Sequence, residues 1–339
     1  MSGILYKAAI GLGCTASIYL LIALGLIAFS RPANTVSDAA EVMDFADAIS
    51  SVYDDMPAPR AFAARDGVQL SYRLYEGPET SHRLIVLVHG SGWHGMQFHP
   101  IARELAMAGA GTVAVPDLRG HGKNPVRRGD VDHIGQLEED LADLIDHLAG
   151  ARDDISVVLG GHSSGGGLTV RFAGGPYGGK ADGFLLLAPF LKHDAPTTKP
   201  NSGGWARPAI PRIVGLTMLN TIGITALNGL PVIGFAMPRS VLEGPYGDTA
   251  TLAYSYRLNT SFAPRADYGR DLAAIRVPLL VIAGAEDEAF EATLYESTIS
   301  AHTGTGEYHV LPGANHIGVV TDDRTASLAL DWLARNPPR

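Results

Sequence analysis

The chain has 339 residues, of which 46% are hydrophobic. That is enough for a packed core in one large or two ordinary domains, and it excludes a disordered protein. A formal charge of −9 with both signs interspersed leaves no basic stripe, which argues against nucleic acid as a partner, and the single cysteine, Cys14, excludes an intrachain disulfide or a thiolate metal site.

Residues 8–29 carry no charge over 22 positions. As a helix rising ~1.5 Å per residue they reach about 33 Å, enough to cross a bilayer core. We expect residues 1–31 to be an uncleaved membrane anchor, with a removed signal peptide as the alternative, because Ala28-Phe29-Ser30 offers small residues for cleavage. Lys7 precedes the span, whereas Asp38, Glu41, Asp44 and Asp47 follow it, which places the N-terminus in the cytoplasm and the remainder outside it. Residues 32–59 read as a linker. Within it Val42, Phe45, Ile49 and Val52 recur at helical spacing, predicting a short amphipathic helix over about 37–53.

From residue 61 the pattern turns to strands: 61–65, the turn Asp66-Gly67, then 68–75 make a hairpin. Residues 84–88 are apolar throughout, as in a strand covered on both faces, and run into His89-Gly90-Ser91-Gly92. Helix over 101–108, strand over 112–115, helix over 134–148, strand over 155–159, helix over 165–172 and strand over 184–187 follow. This alternation predicts a mostly parallel sheet with right-handed crossovers. It stops at Ala188-Pro189 and resumes with a strand at 279–283, a helix near 289–299, a strand at 307–311 and a last helix over 323–333. The interval 190–274 reads as an inserted cap whose apolar residues fit helices rather than strands. Its uncharged reach, 213–238, raises the alternative of a second span, but Asn220, Asn228 and Pro231 interrupt it. The core is then 60–189 together with 275–339.

The chemistry centres on Gly161-His162-Ser163-Ser164-Gly165, a G-x-S-x-G motif between a buried strand and a helix. A sharp strand-to-helix turn would lift Ser163 above the sheet. A serine hydroxyl is a poor nucleophile unaided, so a base and an orienting carboxylate should lie on loops after later strands. Asp287 follows the strand at 279–283, with Glu286 and Glu288 as competitors, and His316 follows the strand at 307–311, with His302 and His309 as rivals. Backbone N–H groups of Ser164 and of the His89-Gly90-Ser91-Gly92 loop, Ser91 above all, would meet the oxyanion. His89 would brace that loop by hydrogen bonding. No pair among His94, His99, His121 and His133 has helical metal-ligand spacing beside a carboxylate, so neither a metal nor another cofactor is expected.

With these motifs together, and with Asp117-Leu118-Arg119-Gly120-His121-Gly122 after the strand at 112–115, the chain from residue 61 onward resembles the α/β-hydrolase superfamily. Within it the chain looks like the monoglyceride lipase and lysophospholipase-like serine hydrolases. The resemblance implies a mostly parallel sheet flanked by helices, a cap over the site, and a Ser163, Asp287, His316 triad. Epoxide hydrolases and haloalkane dehalogenases resemble it too, but carry an aspartate where Ser163 stands. The expected function is cleavage of carboxylic esters through an acyl-enzyme, with lipid-like esters favoured by the anchor and apolar cap. An esterase of small soluble esters, an acyltransferase or peptidase using the same residues, and an inactive binding module are the alternatives. Oligomeric state is not legible.

Overall fold

The computed structural model describes residues 2–33, 36–37, 43, 53–150, 152 and 154–338. The amphipathic helix expected over 37–53 lies outside the described residues apart from Ser37, Met43 and Tyr53. At the N-terminus, α1 (Ser2–Ala28) is a single apolar helix, and its stretch Leu5–Ala28 is long and apolar enough to cross a membrane.

Eight strands form the central sheet: β1 (Arg60–Ala63), β2 (Gln69–Tyr75), β3 (Arg83–Val88), β4 (Thr112–Pro116), β5 (Ser156–His162), β6 (Gly183–Leu187), β7 (Leu279–Gly284) and β8 (Gly306–Leu311). Their spatial order is β8-β7-β6-β5-β3-β4-β2-β1. The β1–β2 hairpin and the β2–β4 pair are antiparallel, and every other pairing is parallel. The run Leu84 to Val88 is buried at every position because helices cover both faces, which is why it shows no polar alternation. Those helices include α2 (His99–Met107), α3 (Gln136–Ala149), α4 (Ser164–Ala173) and α6 (Asp323–Arg335). The expected alternation is present at every step, with ends differing by a few residues.

Between β6 and β7 the chain leaves the sheet. This insertion holds α5 (Ile210–Thr221) and several short helices, but also three antiparallel strands, Ala206–Pro208, Pro231–Phe235 and Ala253–Ser255. The insertion is therefore not wholly helical, as its composition had suggested. The uncharged reach over 213–238 is broken near Asn228 and Pro231 into a helix and a strand. Its helix of 12 residues spans about 18 Å, too short for a second crossing of a bilayer.

The turn after β4 is held by an internal ion pair. Arg119 grips the buried Asp140 of α3 bidentately at 2.8 Å through Nε and Nη2, and reaches Asp66 of the β1–β2 turn at 2.9 Å. One guanidinium thus ties the hairpin, the β4 loop and α3 together, and the bidentate geometry offsets the cost of burying the charges.

Candidate active site

At the end of β5 the backbone turns into α4 within one residue. Ser163 has φ 55° and ψ −121°, a left-handed conformation that a residue bearing a Cβ adopts only where its surroundings enforce it. The enforcement is visible on both sides. A Cβ on Gly165 would lie 2.1 Å from the carbonyl oxygen of Val88, and one on Gly161 would lie 2.3 Å from that of Gly165. The first turn of α4 is thereby pressed against the end of β3. Ser163 N–H donates to Leu187 O of β6, and Ser163 O accepts from Phe190 N and Gly167 N, so the strained residue is tied at both ends.

Ser163 and His316 line the same two adjoining pockets. His316, 1% exposed, donates its Nδ1–H to Asp287 Oδ2 at 2.8 Å. The other Asp287 oxygen accepts from the N–H groups of Ala289 and Phe290 at 2.8 and 2.9 Å. A carboxylate can only accept, so the proton sits on Nδ1 and leaves His316 Nε2 as an acceptor. Glu288, a competitor by sequence, accepts from the backbone N–H of His316 instead, and Glu286 is exposed. His309 pairs with Glu307 on β8, and the exposed His302 packs against Tyr268. Neither lines these pockets.

The loop after β3 lies beside the elbow, with the Ser91 and Ser164 hydroxyls 2.6 Å apart. His89 donates from Nδ1 to Gly90 O at 2.8 Å and accepts from Leu118 N at Nε2. Because C=O and N–H of one peptide point in opposite directions, holding the Gly90 carbonyl toward His89 turns the Ser91 N–H away from it. Four further side chains brace this region. Gln97 accepts from Gly90 N, at the long distance of 3.4 Å, and donates to His162 Nδ1, and His162 Nε2–H donates to the His316 carbonyl. Tyr254, on a strand of the insertion, accepts from Gly92 N at 2.8 Å and donates to His121 Nε2 at 2.7 Å, while His121 Nδ1–H donates to Arg119 O. Met43, Trp205 and Phe290 close the pocket over Ser163. Gln97, Tyr254 and Met43 have no motif of their own, and only the three-dimensional arrangement brings them to the site.

His89, His121 and His162 are all buried, and burial opposes their charged form. It brings His89 down to about 4 and holds His121 and His162 well below the ordinary imidazole value. In the unfolded chain these rings take up protons near pH 6.5, whereas in the fold they do so only at lower pH. Below about pH 6.5 the unfolded state therefore binds more protons, and stability falls by up to ~1.4 kcal/mol per pH unit for each ring. Urea midpoints should hold steady above about pH 6.5 and drop steeply toward about pH 5, and replacing His162 by Gln should reduce the slope. A flat profile would mean that these rings are charged in the fold.

Comparison with known proteins adds the following. Residues 79–227 match the model of the Hydrolase_4 family, described as serine aminopeptidase, S33. A monoacylglycerol lipase of Mycolicibacterium smegmatis is 30% identical over 136 residues, covering 40% of this chain and 48% of that protein. The match thus spans about half of that relative's length. Among solved structures, a soluble variant of monoglyceride lipase from Saccharomyces cerevisiae in complex with a substrate analog superimposes with a TM-score of 0.61 at 17% identity, over 85% of this chain and 98% of that one. A thermophilic esterase from Thermogutta terrifontis gives a TM-score of 0.56 at 20% identity, over 82% and 98%. The chain has the α/β-hydrolase fold, and among proteins of that fold it resembles the monoglyceride lipases.

Proposed function

We propose that this protein is a membrane-anchored serine hydrolase that cleaves carboxylic esters of lipid type. The observation that carries the reading is the strained Ser163 sharing a pocket with His316, whose Nδ1–H is committed to a buried carboxylate. His316 Nε2 takes the Ser163 proton as Oγ attacks the ester carbonyl, and Asp287 stabilises the imidazolium that forms. The tetrahedral oxyanion is met by the N–H groups of Ser91 and Ser164. Collapse breaks the bond to the alcohol oxygen, which leaves with the proton from His316. Water, deprotonated by His316, then attacks the acyl-enzyme; the second tetrahedral intermediate expels Ser163 Oγ, which regains its proton from His316, and the acid departs. No cofactor takes part in this sequence.

The pocket under the insertion favours an apolar acyl group. Phe190, Trp205, Ile233, Phe235, Phe262 and Phe290 are among its lining residues, and the described lining contains no carboxylate. An aminopeptidase needs a negative partner for the substrate's ammonium, so the apolar lining favours esters over peptides with a free N-terminus. Residues 190–274 then act as a cap, and α1 as the span that keeps the site at a bilayer with the catalytic domain on the extracytoplasmic side. The name of one relative points the same way: the Mycolicibacterium smegmatis protein is a monoacylglycerol lipase.

Ser163→Ala is expected to abolish both ester turnover and labelling by a fluorophosphonate, while the unaltered chain hydrolyses long-chain acyl esters at least as well as short ones. Normal labelling of the variant would remove Ser163 from its role, and activity confined to short chains would remove the lipid substrate. Tyr254→Phe keeps the ring but loses the phenol that holds Gly92 N–H and His121. Its kcat should fall with KM nearly unchanged, by less than the ~10²–10³ typical of losing an oxyanion donor outright. Binding of a boronic acid that mimics the tetrahedral state should weaken in parallel. A variant with raised KM and unaltered kcat would instead make Tyr254 a wall of the acyl pocket.

A further inference from the structure

The N-terminal helix does not leave the protein as a free tether. It packs on α5 of the insertion with a defined antiparallel register: Arg212 Nε donates to Ile27 O at 3.2 Å, and Tyr19 OH donates to Met218 O at 2.9 Å. Between those bonds the backbones approach so closely that a Cβ on Gly215 would lie 2.6 Å from Ala23 O. Ala23, Ile27, Leu216, Leu219, Val232 and Tyr256 form a buried cluster of their own at this contact. Small residues that permit close approach, with hydrogen bonds from side chains to backbone, are the usual means of joining helices in lipid.

This register constrains depth. Tyr19 lies eight residues, or about 12 Å, further into α1 than Ile27. If α1 crosses a bilayer, α5 must enter it alongside, starting from the end of α1 near Arg31. Two observations fit that environment. The outward side of α5 and the turn after it expose Ile210, Val214, Ile222 and Ile224, at 53%, 45%, 50% and 39%, and no charge occurs from Ile213 to Pro238. Four polar side chains in this stretch also bond within the protein. Thr217 and Thr221 donate to carbonyls one turn back, and Asn220 and Asn228 pair through both amides at 2.7 and 2.8 Å. The Asp130–Arg257 ion pair lies beside Gly229, where the chain has turned back to the core.

We infer that α5 and the turn after it, through Ile224, lie in the lipid bilayer against α1, so that the membrane contact of this protein is an interlocked helix pair and the insertion is a lipid-embedded element. The inference rests on the reading of α1 as a span and not on the hydrolase chemistry. A bilayer is the occupant because the exposed α5 face continues the surface of α1, only 11% of whose most apolar stretch is buried by the protein.

Cys14 is the only cysteine, so Cys14→Ala gives a full-length chain ready for single-site labelling. A polarity-sensitive fluorophore would be placed through Val214→Cys, Ile222→Cys or, on the exposed face of a core helix, Glu296→Cys, with each chain reconstituted in phosphatidylcholine vesicles. Labels at 214 and 222 are expected to emit at shorter wavelength and to be quenched by brominated lipid, while the label at 296 is quenched by iodide. Equal iodide quenching at all three sites would put α5 in water and overturn the inference. A wavelength shift without quenching by brominated lipid would also overturn it, since protein, such as a second copy of the chain, would then cover the face. Fluorophosphonate labelling of the same samples reads the hydrolase chemistry separately. Its loss would count against Ser163 as nucleophile and leave the lipid result standing.

Discussion

The distance between the first turn of α4 and the end of β3 governs the rest of this structure. With no side chain at Gly165, the turn comes so close to Val88 and His89 that even a methyl group would collide with their carbonyls, and with none at Gly161 it folds back onto the carbonyl of Gly165. This approach holds Ser163 at positive φ and brings the loop after β3 against the elbow, where the Ser91 and Ser164 hydroxyls meet. The strain at one residue is balanced by the packing of two elements. The parallel sheet contributes the frame: β5, β6 and β7 run in the same direction, so the loops carrying Ser163, Phe190 and Asp287 emerge at one edge.

Around that edge, neutral buried histidines act as struts. His89, His121 and His162 each donate from one ring nitrogen to a backbone carbonyl and accept at the other. A ring with one donor and one acceptor can join two fixed groups without carrying charge, which suits an interior where an ion would be costly. His316 differs from these three, because its Nδ1 partner is a carboxylate rather than a carbonyl.

How much of this was legible in the sequence varies with the range of the interaction. The succession of strands and helices and the elbow motif are local patterns, as are the positions of Asp287 and His316 on loops after strands, and they could be read directly. The sequence favours Asp287 over Glu286 and Glu288, but what separates three successive acids, the turn of the loop that brings Asp287 to His316 Nδ1, is a tertiary contact. Tyr254 was silent for a different reason: its hydrogen bond to Gly92 joins residues 162 positions apart, across the boundary between insertion and core. The strand Pro231–Phe235 was hidden inside an apolar run that also contains α5, since a short buried strand and a buried helix share a composition.

The insertion bears on chemistry and on location at once. Its strand Ala253–Ser255 supplies Tyr254 to the loop after β3, and the Thr251 N–H, just before that strand, donates to Gly92 O, so both polar groups of the Gly92 backbone are held by the insertion. Its strand Pro231–Phe235 pairs with Ala253–Ser255, and Val232 of that strand packs in the cluster that joins α5 to α1. A continuous set of contacts therefore leads from the membrane-spanning candidate, through the insertion, to the peptide beside Ser91. Rigid secondary structure of this kind can transmit a displacement only if it has two arrangements, and contiguity alone does not supply the second. What contiguity does supply is a fixed orientation: with α1 and α5 interlocked, the insertion cannot turn relative to the helix that holds it, and the pocket keeps one attitude toward that helix.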